Sequence, residues 1–209
     1  PFTKAQDFFF HQSRAALFSY GNFFFMFRKL DYFVQSGDIT FFLHTWSLGV
    51  EEQFYIVWPV TLIILLRFTK KTLIHISFIA VLIAFVMWHR HVLWTTTTEV
   101  PYERFTIFVR TDARIDSLLV GCITAFIYLY RLISIKLSQM LAIFGVIVLF
   151  LYLEFSQPYT GYMFSGGFTV VAVSVGCLIL GLTTSTFYLT RLFSGRFIVL
   201  IGKTSYGIY

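Results

Sequence analysis

The chain has 209 residues, of which 57% are hydrophobic and 21% aromatic, with 27 Phe, while only 12% are charged. This composition excludes an ordinary soluble domain and points to a membrane protein. The net charge of +6 does not indicate a nucleic-acid partner, because Lys and Arg form no long basic run and fall in short segments between apolar stretches, where they read as topogenic charge.

Pro1 is not an initiator residue and no signal peptide is visible, so the chain is expected to be a piece of a longer protein. Residues 1–38 mix aromatics with charges. Within them Ala15 to Phe27 is apolar but too short for a span, which predicts a re-entrant or interfacial helix closed by Arg28, Lys29 and Asp31. Ser36-Gly37-Asp38 predicts a turn.

The next stretch, His44-Thr45-Trp46-Ser47, leads through Glu51-Glu52-Gln53-Phe54-Tyr55 into an apolar run toward Phe68. Read as one helix over 45–68, it is long enough to cross a bilayer at 1.5 Å per residue. Helical spacing places His44, Ser47, Glu51 and Tyr55 on one face and Glu52 elsewhere. Adjacent glutamates at a membrane helix entrance are costly to bury, which predicts a site or a buried partner, with Arg110 or Arg114 as candidate partners.

A second span is predicted near 73–90, closed by His89-Arg90-His91. Two histidines at i and i+2 on a helix point apart, so this triplet reads as an interfacial anchor and no metal site is assigned. Residues 92–109 read as a Thr-rich loop, and a third span follows over 111–130. As a helix, its entrance puts Arg110 and Arg114 on one face and Asp112 and Asp116 on another.

Spans four and five are predicted over 138–153 and 164–182, the fifth carrying Gly166, Gly167, Ala172, Ser174 and Gly176 for close helix packing in lipid. Cys122 and Cys177 lie in apolar runs and read as small hydrophobes. Residues 187–199 predict an amphipathic surface helix, and a last span opens near 204 and is cut at Tyr209. The predicted fold is thus an all-α, polytopic transmembrane helical bundle forming one partial domain over 1–209.

The loops after spans one, three and five carry Arg67, Lys70, Lys71, Arg131, Lys136, Arg191, Arg196 and Lys203 without any Asp or Glu, and the density of cations makes them the cytoplasmic side. His44, Glu51, Glu52, Asp112 and Arg114 are then expected toward the outer half of the membrane.

The residues 43–59 resemble, almost without a break, the HTWSL-x-VEEQFY signature of the acyltransferase-3 family. Residues 111–121 resemble a second pattern from one branch of that family, TD-x-R-x-D-x-LL-x-G, and residues 201–209 resemble its IG-x-x-SY-x-x-Y segment. Asn22 before Phe23-Phe24-Phe25 is similar to a family segment that precedes the signature on the extracytoplasmic side. The resemblance implies integral membrane O-acyltransferases that move an acyl group, often acetyl from acetyl-CoA, onto hydroxyls of cell-envelope carbohydrates or lipid-linked glycans. It also implies a multi-pass protein of the bacterial inner membrane, with membrane lipid, acyl-CoA and a carbohydrate or glycolipid acceptor as partners. Acyl-CoA would be a co-substrate, with no bound cofactor.

The family's catalytic histidine lies on a first membrane helix upstream of these residues, so the chain by itself is expected to be inactive. Acyl transfer to an alcohol needs a base to take the hydroxyl proton and a donor to hold the developing oxyanion. Supporting catalytic roles fall to His44, Glu51, Glu52, Tyr55 and Arg114, and substrate contacts to Trp46, Ser47, Gln53, Arg110, Asp112 and Asp116. Lys70, Lys71, Arg191, Arg196 or Lys203 are candidates for CoA phosphate contacts. The alternative is a non-enzymatic transporter or lipid-binding module, in which the same charges line a pathway; the absence of an internal repeat among the spans ranks it lower.

Overall fold

A computed structural model describes residues 4–27, 41–98, 101–156, 160–184 and 188–208. The turn expected at Ser36-Gly37-Asp38 lies outside the described residues. Every regular element among the described residues is helical. Four helical segments, Leu43–Phe68, Thr72–Thr96, Ile135–Phe155 and Met163–Thr184, are long and apolar enough to cross a membrane.

The interfacial segment consists of two short helices, α1 (Lys4–Leu17) and α2 (Gly21–Phe27). The single helix expected over Ala15 to Phe27 is broken because Ser19 adopts a left-handed φ of 55°, a conformation that a helix of L-residues cannot continue. α2 buries Gly21, Asn22 and Phe25. Phe25 packs with Leu43, Phe105 and Val109 in a small core that also takes in Trp46 and Phe108.

A 3₁₀ turn, Leu43–Thr45, leads into α3 (Trp46–Phe68). α4 (Thr72–Thr96) follows and extends well past the triplet expected to close it. The expected loop over 92–109 is largely helical, its first residues completing α4 and its last forming α5 (Pro101–Val109). His75 is buried near the start of α4, where its Nε2 bonds the Thr69 carbonyl at 2.9 Å and ties the helix to the preceding turn.

The third apolar segment departs from the expectation. Thr111–Ala113 is a 3₁₀ turn and α6 (Asp116–Leu129) begins only at Asp116. Arg110 and Arg114 therefore do not share a helical face, nor do Asp112 and Asp116, because the turn changes the period from 3.6 to 3 residues. α6 packs with α3 and α4 through Phe54, Ile79, Ile83, Leu119, Val120 and Phe126.

α7 (Ile135–Phe155) starts at a Ser134 cap whose hydroxyl accepts the Leu137 amide. A π-helical turn, Met163–Gly167, precedes α8 (Phe168–Thr184). α7 and α8 run antiparallel and very close together. A Cβ on Gly145 would lie 2.5 Å from the Ser174 carbonyl oxygen, a gap only glycine tolerates, and Ser138 at the far end shares a hydroxyl hydrogen bond with Thr184 at 2.5 Å. Small residues are what bring helices this close in lipid. The chain ends in α9 (Tyr188–Phe193) and α10 (Arg196–Ile208), so the surface helix expected over 187–199 is interrupted at Ser194 and Gly195.

Candidate functional site

Charged side chains from α4 and from the segment 110–116 collect at one end of the bundle, around a residue that sequence reasoning treated only as an anchor. Arg90, on α4, is fully buried. Its Nε donates to the Phe164 carbonyl at 2.9 Å, Nη1 to the Ala113 carbonyl at 2.8 Å and to Asp116 Oδ2 at 2.9 Å, and Nη2 to Thr169 Oγ1 at 2.9 Å. The Thr169 hydroxyl in turn donates to Asp116 Oδ2. One guanidinium thus fastens α4 to the turn before α6, to α6 itself and to the π turn and first residues of α8.

Arg114 stands beside this cluster without a carboxylate of its own. Its guanidinium lies 4.1 Å from the ring centre of Phe168, 4.9 Å from Phe108 and 5.9 Å from Trp46. Nη1 is sealed from solvent with no hydrogen-bond partner among the described residues, as is Asp116 Oδ1. Among the described residues, two guanidinium groups therefore share one buried carboxylate, and the cluster carries a surplus positive charge. Burial of unpaired charge is expensive, so negative charge brought to this end of the bundle would be stabilised.

A second, more exposed group flanks it. Arg110 clamps Asp112 in a bidentate pair, Nε to Oδ1 at 2.9 Å and Nη2 to Oδ2 at 2.6 Å, and His89 Nε2 meets the same Oδ2 at 3.0 Å. Partial burial pushes the Asp112 carboxyl up, but the hydrogen bonds and charges of Arg110 and His89 outweigh it and hold the group below its ordinary value. His91 points away to Ser165 Oγ at 2.8 Å, so the two histidines diverge as their spacing requires.

The signature helix joins this end through amides rather than carboxylates. Gln53 Nε2 donates to Asn22 Oδ1 at 2.9 Å, Asn22 Nδ2 donates to Thr111 Oγ1 at 2.8 Å, and the Thr111 hydroxyl donates to Gln53 Oε1 at 2.5 Å. This closed ring ties α2, α3 and the Thr111 turn together. Gly49 permits it, because a Cβ there would stand 2.8 Å from Asn22 Oδ1.

Of the residues assigned from sequence, Trp46, Gln53, Arg110, Asp112, Arg114 and Asp116 are thus brought to one end of the bundle. Ser47 is half-buried nearby and His44 is exposed on the 3₁₀ turn. Glu51 and Glu52 are half-buried, but among the described residues no ion pair links either to Arg110 or Arg114; the arginines are taken by Asp112 and by aromatic rings. Tyr55 is 56% exposed, farther along α3. Sequence reasoning missed Arg90, Thr169, His89 and the partner role of Asn22. Arg90 carried a signal, a cation that falls inside an apolar helix once α4 is extended to Thr96, and intramembrane charges mark sites or buried partners.

Helices of spanning length, with a buried, positively charged cluster at one end of the bundle, make this an all-α, multi-pass membrane protein. Over 205 residues, 93% of its length, the chain is 31% identical to the peptidoglycan O-acetyltransferase OatA of Listeria monocytogenes, covering 32% of that protein. It is 30% identical to the putative peptidoglycan O-acetyltransferase YrhL of Bacillus subtilis, again over 93% of the chain and 31% of the relative. A putative O-acetyltransferase of Staphylococcus aureus is 27% identical over 95% of the chain and 33% of its own length. The chain spans about a third of the length of these curated relatives. No family model matches the chain, and no solved structure matches it.

Proposed function

We propose that this chain forms part of a membrane-bound O-acyltransferase of the bacterial inner membrane. The reaction is transfer of an acyl group, acetyl by analogy with the relatives, from acyl-CoA to a hydroxyl of a cell-envelope carbohydrate or lipid-linked glycan. The observation that carries the proposal is the convergence of the two signature segments, through Gln53–Thr111 and Trp46–Arg114, on a buried cluster with surplus positive charge.

In this reading Arg114 supplies the field that stabilises the oxyanion developing on the acyl carbonyl, in a site where charge acts over a low dielectric. His44, Glu51 and Glu52, at the entrance of the signature helix, and Tyr55, farther along it, act in supporting roles; the proton of the acceptor hydroxyl passes to a base within hydrogen-bond reach of it, and CoA leaves as the thiol once protonated. Trp46, Ser47, Gln53, Arg110, Asp112 and Asp116 shape and hold the acceptor side.

The test is acyl transfer from labelled acetyl-CoA to a cell-wall carbohydrate acceptor in membranes of cells expressing the full-length acyltransferase of which the chain forms part. Glu51→Gln, Glu52→Gln and Arg114→Gln should lower transfer far more than they lower membrane abundance. Unchanged transfer at equal abundance in all three variants would overturn the assignment.

A further inference from the structure

Between α6 and α8, a groove of about 330 Å³ runs away from the charged cluster, its walls including Val120, Gly121, Val171, Ala172, Val175 and Ile179. Arg114 and Phe168 stand at its upper end, where the two helices begin, and among the described residues Ser117 is the one other polar residue on its lining. The Ser117 hydroxyl is turned back to the Arg114 carbonyl at 3.0 Å, so below Arg114 the lining is apolar. Gly121 opens the wall, since a Cβ there would meet nothing within 4 Å. Next to it Gly176 is closed off by Thr124 and Val120.

The dimensions and polarity fit one kind of occupant. From Phe168 to Ile179 the α8 wall is ~16 Å long at 1.5 Å per residue, about half of the ~30 Å hydrocarbon thickness of a bilayer. The depth is that of one leaflet, with a cation at the head and hydrocarbon walls beneath. We propose that this groove is a site for an anionic phospholipid, with one acyl chain laid along α6 and α8 and the phosphate paired with Arg114. Charge complementarity selects the head group: among the described residues Arg90 and Arg114 share one buried carboxylate, that of Asp116, and Arg114 lines the head of the groove. A lipid phosphate against the Arg114 guanidinium supplies the missing negative charge. The site stands independently of the acyl-transfer reading; where both hold, lipid phosphate and reacting acyl group exclude each other at Arg114.

The experiment uses the protein reconstituted in phosphatidylcholine vesicles containing small amounts of phosphatidylglycerol or phosphatidylcholine with a photoactivatable group in the acyl chain, followed by peptide mapping. Phosphatidylglycerol should label the groove segments around Gly121 and Val175 several-fold more than phosphatidylcholine. Arg114→Gln should remove that preference and Arg114→Lys should keep it, which separates charge from a folding defect. Gly121→Phe, filling the groove, should abolish labelling there for both lipids, whereas Gly121→Ala should not. Equal labelling by the two lipids in the unaltered protein, absence of groove labelling because another helix covers it, or full labelling in Gly121→Phe would each overturn the proposal.

Discussion

Arg90 Nη1 lies 2.9 Å from Asp116 Oδ2, with both side chains buried to 1% exposure or less. The pair joins α4 to the start of α6, next to the turn through which the 43–59 and 111–121 segments meet. Its geometry sets the first prediction, because removing one member of a buried pair leaves the other without compensation and typically costs about 3–5 kcal/mol. Arg90→Met should lower the unfolding midpoint in detergent sharply. Combining it with Asp116→Leu should recover part of the loss, whereas strictly additive losses would show that the two residues do not act as a pair.

The amide ring of Asn22, Gln53 and Thr111 gives a second prediction. Gln53→Leu strands the Asn22 and Thr111 polar groups in a largely buried place, at a cost of about 1–3 kcal/mol. Gly49→Ala should have a similar effect by pushing Asn22 away, given the 2.8 Å approach a Cβ would make. Limited proteolysis between α1 and α2 should then speed up in both variants, and unchanged cleavage would count against the ring as the anchor of α2.

Overpacking tests the α7 and α8 contact. A side chain at position 145 would press against the Ser174 carbonyl, which is backbone and cannot rotate aside. Gly145→Val should therefore destabilise by about 1–3 kcal/mol, the range for inserting methyl groups into a well-packed interface, measured as a fall in thermal midpoint of the purified protein.

The exposed group around Asp112 predicts an acid limb in stability. Its carboxyl titrates lower in the folded protein than in the unfolded chain, so its contribution is complete above the ordinary aspartate value of about 3.9 and is lost as pH falls through the lower, folded value. Replacing it in Asp112→Asn should flatten the dependence of the midpoint on pH below about 4 and leave the neutral region shallow. An acid limb of the same steepness in the variant would assign it to other carboxyls.

Topology offers a last check. Single cysteines at Lys70 and Lys136 should resist an impermeant reagent applied from outside, while one at Thr97 should react, as the density of Lys and Arg in the flanking loops requires. Strong outside labelling at position 70 or 136 would invert the orientation.

Fold class was legible in the residues themselves, because long apolar runs between short cationic loops have few solutions other than membrane helices. The signature around Trp46 and Gln53 and the charges from Arg110 to Asp116 likewise marked segments that meet in the fold. Tertiary structure decided who pairs with whom. Periodicity assumes that a helix continues, and it fails at Ser19 and at the Thr111 turn, where left-handed and 3₁₀ backbone reset the direction of every following side chain. Nor can spacing reveal that Arg90, many residues before Asp116 and Thr169, closes the cluster, since which buried charge finds which partner depends on how the helices pack. Arg114 beside an already occupied Asp116 exists only in that packing, and with it the surplus charge on which the proposed chemistry and the lipid site both depend.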